Sequence, residues 1–225
     1  MLDAVIFDCD GVLVDSEAIY HDVEIEVLAG LGLAYDPHDF KARFMGMSDK
    51  AFYAALDEDA LARIGRPIEA EFRPRVKARA AQELHRLAAV AGAAEAVDAV
   101  RLPRAVASSS TNAALAFKLR LAGLWDRFAP HIYSAEHVTH AKPAPDLFLH
   151  AASALGAVPA RCLVIEDSVN GVRAAHAAGM RVWGFMGGGH MDEPSRARLA
   201  AANVERIVED WQEAAALFAA LQRSA

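Results

Sequence analysis

Apolar positions in this chain follow two rhythms. The first is a set of short unbroken runs: Ala4-Val5-Ile6-Phe7 is rich in strand formers and stops at Asp8-Cys9-Asp10-Gly11, the pattern of a buried strand ending in a turn. The same change recurs where Ala105-Val106-Ala107 meets Ser108-Ser109-Ser110, where Ile132-Tyr133 meets Ser134, and where Leu163-Val164-Ile165 meets Glu166-Asp167-Ser168. Val182-Trp183-Gly184-Phe185 runs into a glycine-rich stretch in the same way. The second rhythm is helical: alanine-rich segments over 112–122, 146–155 and 170–178 separate these runs, with Gly123, Gly156 and Gly179 where such helices end.

Strands that are apolar throughout, alternating with helices, predict an α/β fold: a Rossmann-like, doubly wound parallel sheet covered on both faces. In such sheets ligands bind at the carboxyl ends of the strands, and each polar cluster named above falls there. Residues 16–87 break the rhythm. They offer helical patterns over 16–29, 49–56, 59–64 and 68–87 and no strand, which predicts a small inserted α-helical cap domain. The catalytic core is then 1–15 with 88–225, hinged at Val14-Asp15-Ser16 and near Leu87 to Gly92. The tail from Glu193 onward predicts two helices around a short strand at Ile207-Val208.

With 225 residues, 54% hydrophobic and 24% charged, the chain has enough apolar mass for an ordered core with a smaller insert. A net charge of -7 repels nucleic acid and anionic lipid, which leaves small molecules as the expected partners, while nothing encodes the oligomeric state. Cys9 and Cys162 each adjoin an apolar run, as buried reduced thiols do, and fit a reducing cytoplasmic setting. The N-terminal apolar run reaches Asp8 too soon for a secretory or spanning segment, and no other run is long enough to span a membrane.

An isolated Asp-x-Asp-Gly is as readily a solvated turn as a site. Here it has companions. Asp8-Cys9-Asp10-Gly11-Val12-Leu13-Val14-Asp15-Ser16 resembles the first motif of the haloacid dehalogenase superfamily, and Val106-Ala107-Ser108-Ser109-Ser110 the second. Lys142-Pro143-Ala144-Pro145-Asp146 resembles the third, and Ile165-Glu166-Asp167-Ser168-Val169-Asn170-Gly171 the fourth, all in order. The resemblance implies a phosphatase working through an aspartyl-phosphate. Asp8 is the nucleophile, because a carboxylate attacks phosphorus once cations cancel the repulsion between anions. Asp10 protonates the leaving alkoxide and later deprotonates water. Two residues apart on an extended strand the two point to one side. A dehalogenase expels halide and needs no second acid, so Asp10 favours phosphate transfer.

Ser108 and Ser109 are the expected phosphate donors ahead of a helix, with Lys142 the cation shared by nucleophile and phosphoryl group. Glu166 and Asp167 follow a strongly apolar strand, where two acids call for a cation. Magnesium is the expected cofactor, held by Asp8, the Asp10 backbone carbonyl, Asp167 and, directly or through water, Glu166.

The position of the insert is similar to that of the subgroup containing phosphosugar phosphatases and β-phosphoglucomutase. Phe44 to Lys50 resembles its substrate-reading loop, so Ser48 and Lys50, with Asn112 on the core, are the candidate substrate contacts. Tyr20 and Asp49 stand where the mutase has a histidine and an arginine, which disfavours a mutase. Phe185 to His190 resembles a run in a bacterial branch that includes 6-phosphogluconate phosphatases. The expected activity is hydrolysis of a small phosphomonoester, a sugar phosphate or sugar-acid phosphate. The rivals are a phosphosugar mutase, phosphonate cleavage through a Schiff base on Lys41 or Lys50, and an inactive phosphate-binding protein.

Overall fold

The computed structural model describes residues 2–44, 47 and 49–223. The chain forms two compact units, one of Met1–Glu17 with Leu87–Ala225 and one of Ala18–Arg86. In chain order the elements are β1 (Ala4–Phe7), α1 (Ser16–Gly30), α2 (Pro37–Phe44), α3 (Asp49–Ile64), α4 (Glu69–Glu83), α5 (Ala93–Ala99), β2 (Arg104–Ser108) and α6 (Asn112–Leu121). They continue with α7 (Trp125–Phe128), β3 (Ile132–Ser134), α8 (Asp146–Ala154), β4 (Cys162–Glu166), α9 (Val169–Ala177), β5 (Arg181–Phe185), α10 (Glu193–Ala201), β6 (Arg206–Val208) and α11 (Trp211–Arg223). No helix among the described residues is long and apolar enough to cross a membrane.

The larger unit is built on one six-stranded sheet in the order β3-β2-β1-β4-β5-β6, parallel throughout. This is the doubly wound order, and its direction reverses between β1 and β4. Phe7 pairs with Val106 on one side and Ile165 on the other, so Asp8 leaves β1 level with Glu166. The Asp8 amide still donates to the Ile165 carbonyl at 3.0 Å.

Alternation along the strands splits the core in two. Ala4, Ile6, Ala105, Ala107, Cys162, Val164 and Val182 pack against Leu147 and Phe148 of α8, Val172 and Ala175 of α9 and Leu199 of α10. Phe7 faces the other way, with ring centroids 5.5 Å from Phe128, 5.8 Å from Trp211 and 6.4 Å from Phe218. Trp183 stacks on Phe218 at 5.5 Å, and the Trp211 indole N–H donates to the Val12 carbonyl at 2.9 Å, tying α11 to the loop after β1. Both cysteines are buried and free. Burial pushes both thiols up, Cys162 to about 11, with nearby carboxylates adding to the effect.

The smaller unit is helical and departs from expectation in detail. Residues 49–64 form one helix rather than two, because Asp57 and Asp59 do not interrupt it. Asp57 accepts the amides of Ile68 and Glu69 at 2.7 and 2.9 Å, and Asp59 accepts the Tyr35 hydroxyl at 2.8 Å. Helix α2 was not expected. Asp36 accepts the amide of His38 at 2.8 Å, Pro37 begins the helix, and Phe40 and Phe44 supply its buried side. In the larger unit α5 is a second unforeseen helix, seven residues whose Ala93, Ala96 and Val97 are buried.

Phe218 is 2% exposed and touches both Phe7 and Trp183, so Phe218→Ala opens a cavity under the sheet. The substitution is expected to cost about 3–5 kcal/mol in a denaturant titration, and a loss below about 1 kcal/mol would show that this face of the core is not packed as described.

Candidate active site

Four strand ends and one loop build the site within the larger unit. Asp8 and Glu166 are 8% and 1% exposed, and buried acids of this kind need partners. Lys142 supplies one: its ammonium lies 2.6 Å from Asp8 Oδ1 and 2.8 Å from Glu166 Oε1, with its Nζ 4.6 Å from the centre of the Phe148 ring. The other oxygen of Glu166 accepts from the Ser168 amide at 2.8 Å and the Ser168 hydroxyl at 2.9 Å. Ser168 in turn caps α9 by accepting the Gly171 amide at 3.0 Å. A Cβ on Gly171 would fall 1.6 Å from Glu166 Oε1, so that helix approaches the carboxylate only as glycine.

Asp8, Glu166 and Asp167 each place an oxygen within 4.8 Å of the others. Burial drives the Asp8 carboxyl well above its usual range; Lys142 opposes this, while Glu166 and Asp167 add to it. For Lys142, burial alone would lower the ammonium, and the two carboxylates beside it raise it instead. Three carboxylates against one ammonium leave two negative charges to be balanced, on hard oxygen donors. That donor set and charge fit a divalent cation such as magnesium.

Gly11 makes the convergence possible. It has φ +76°, and a Cβ there would lie 1.9 Å from Asp167 Oδ2 and 2.6 Å from His190 Cε1. His190 Nε2 is 3.2 Å from Asp167 Oδ2, and the Gly189 amide donates to Asp15 Oδ1 at 3.2 Å, so the glycine run after β5 lies against the loop after β1.

Asp10 has surroundings of its own. Its Oδ1 accepts from the Ser16 hydroxyl and the Lys118 ammonium, each at 2.5 Å, and its Oδ2 from the Ser110 hydroxyl at 2.9 Å. Burial would raise this carboxyl, but Lys118 and the hydroxyls outweigh it and hold the group below its usual value. Ser108, 1% exposed at the end of β2, accepts the Ser110 amide at 3.1 Å and so shapes the same loop.

Of the residues singled out from the sequence, Asp8, Asp10, Ser108, Lys142, Glu166 and Asp167 converge at the carboxyl edge of the sheet. Ser109 follows β2 on an exposed turn, and Asn112 opens α6 with its amide already donating to Glu136 at 2.8 Å. Ser48 lies outside the described residues, as does the side chain of Lys50 in the first turn of α3. The sequence places Ser16 in the first motif and a hinge and Ser110 in the second motif, without linking either to Asp10, and it marks Lys118 as no more than part of a helix. One signal was available for Lys118: it shares the buried stripe of α6 with Leu115 and Leu119, where a charge needs a partner.

A doubly wound sheet with carboxylates and a lysine gathered at its switch point defines the class, and comparison defines the family. The family model for haloacid dehalogenase-like hydrolases matches residues 2–179, and the chain belongs to that family of enzymes. A 6-phosphogluconate phosphatase of Escherichia coli K12 is 29% identical over 84% of this chain and 85% of its own length. A phosphorylated carbohydrates phosphatase of Thermotoga maritima is 31% identical over 92% of this chain and 94% of its own. Among solved structures, a hydrolase of the same family from Deinococcus radiodurans, with bound phosphate and sodium, superposes with a TM-score of 0.83 at 38% identity, over 99% of this chain and 96% of that one.

Gly11→Ala tests the convergence. The added methyl must displace Asp167 or the loop, so turnover is expected to fall by about 100-fold or more while far-ultraviolet circular dichroism is retained. Activity within a few-fold of wild type would show that the loop has slack at this point.

Proposed function

We propose that the chain is a cytoplasmic, magnesium-dependent phosphatase that hydrolyses a small phosphomonoester through an aspartyl-phosphate on Asp8. The observation that carries this reading is the contrast between two carboxyls only two positions apart. Asp8 shares a lysine with a cluster of acids, while Asp10 sits apart among hydroxyls and a second lysine. Two-step phosphoryl transfer requires that division of labour.

Asp8 attacks phosphorus with one carboxylate oxygen as the bond to the ester oxygen breaks. Lys142 holds Asp8 in place and offsets charge on the phosphoryl group, and Ser108 with the backbone after it offers donors to the equatorial oxygens. The Asp10 carboxyl gives its proton to the departing alkoxide. Water then attacks the aspartyl-phosphate, gives a proton to Asp10, and inorganic phosphate leaves with Asp8 restored. Asp8, Asp167, the Asp10 carbonyl and Glu166 would hold magnesium, whose chemistry here is to neutralise phosphoryl charge and relieve the repulsion among the acids.

For the substrate, we propose a phosphorylated sugar or sugar acid. The names of the two bacterial relatives support this class, as does the Phe185 to His190 run.

A panel of phosphate esters assayed with magnesium tests the proposal. Phosphate is expected from monoesters without any bisphosphate activator, which separates hydrolysis from mutase chemistry. Asp8→Asn should give no release from any ester, and activity retained in that variant removes the nucleophile assignment. Asp10→Asn should lower kcat/KM for alkyl esters by about 100-fold or more, with a smaller loss of kcat/KM for p-nitrophenyl phosphate, whose leaving group needs no proton. Magnesium should raise the melting temperature of the wild type and do so less in Asp167→Asn; an equal shift in both would take Asp167 out of the ion's coordination.

A further inference from the structure

A lysine 9% exposed in the middle of a helix is costly in both solvation and side-chain entropy. Lys118 sits on the inner stripe of α6, beside Leu115 and Leu119, and its ammonium lies 2.5 Å from Asp10 Oδ1 and 3.1 Å from Ser110 Oγ. Ser16 donates to the same Asp10 oxygen and Ser110 to the other. The donors come from three separate places: the start of α1, the loop after β2, and α6. Together they fix both the position and the plane of a carboxylate that would otherwise turn among several rotamers.

We infer that Lys118 is a positioning residue for Asp10, holding its carboxylate where it takes the proton from the attacking water. The inference rests on the phosphatase reading above and adds a second lysine with a task separate from that of Lys142. Lys142 serves the nucleophile, and Lys118 serves the acid and base. In the hydrolytic half-reaction the water oxygen bonds to phosphorus, and the bond from phosphorus to Asp8 breaks with its electron pair returning to the carboxylate. The water proton passes to Asp10. An Asp10 that has lost its ammonium partner points elsewhere for part of the time, and that half-reaction slows.

The test uses magnesium-loaded enzyme, p-nitrophenyl phosphate, and the variants Lys118→Met and Lys118→Arg. Formation of the aspartyl-phosphate from this ester needs no proton donor, so only the second half-reaction depends on Asp10. In Lys118→Met, kcat is expected to fall by about tenfold or more with KM falling alongside it, so that kcat/KM stays within about twofold. Rapid mixing should show a burst of p-nitrophenol close to one per active site, and Lys118→Arg should recover part of kcat. A kcat within about twofold of wild type overturns the inference. So does a fall in kcat/KM as large as the fall in kcat with no burst, because that is general damage. Should Lys118→Met fail to fold, Ser110→Ala removes the donor to the other oxygen, and the absence of a burst there overturns the inference equally. Wild-type enzyme that releases no p-nitrophenol at all removes the phosphatase reading, and the role of Lys118 with it, which is a result distinct from the others.

Discussion

The buried contact of Lys142 with Asp8 and Glu166 is the constraint around which the larger unit is arranged. A lysine whose side chain is 4% exposed persists only if carboxylates meet it, and acids this deep persist only if a cation does. Each partner is then held by something else. Glu166 is fixed by Ser168, Ser168 by its place at the head of α9, and α9 by the apolar packing of Val172 and Ala175 against the sheet. The site therefore inherits its rigidity from the core through one serine and one strand end.

Topology explains why these groups can meet at all. Asp8 and Glu166 belong to strands far apart in sequence, yet β1 and β4 are neighbours with Phe7 opposite Ile165. A parallel sheet sends both chains out at the same edge, and the reversal of strand order opens a crevice there. A one-residue slip would turn every strand side chain to the other face and bury Asp8 among the aromatic rings of Phe128 and Trp211. The two-sided core thus fixes the register, and the register fixes the chemistry.

Much of this was legible in the sequence. The six strands and their parallel arrangement follow from short apolar runs, four of which stop abruptly at polar clusters beginning with Asp8, Ser108, Ser134 and Glu166. The smaller unit was less legible because its stability comes from side chains meeting between helices. Asp57 looks like a helix breaker until it is seen accepting two amides at the head of α4, and Asp36-Pro37 is a helix start that helix α2's mixed polarity obscured. The environment of Asp10 was invisible for a related reason. Ser16 and Lys118 come from helices separated by the whole smaller unit, and nothing local in either segment announces that they converge. Lys118 stands out only because it interrupts an apolar stripe.

Asp8 and Asp10 show how one short turn supports two different electrostatic settings. Asp8 is buried and Asp10 half-buried, and the loss of water around each would raise both. They diverge because of what each shares. Asp8 shares its lysine with Glu166 and lies beside Asp167, so its cation is divided and its neighbours are anions. Asp10 has Lys118 on one oxygen, with hydroxyls from Ser16 and Ser110 completing its surroundings. Gly11 is what allows such different environments so close together, since its positive φ turns the chain under Asp167 immediately after Asp10. A residue with a side chain would push the acid cluster away from the turn, and the two carboxyls could no longer keep such different settings so close together.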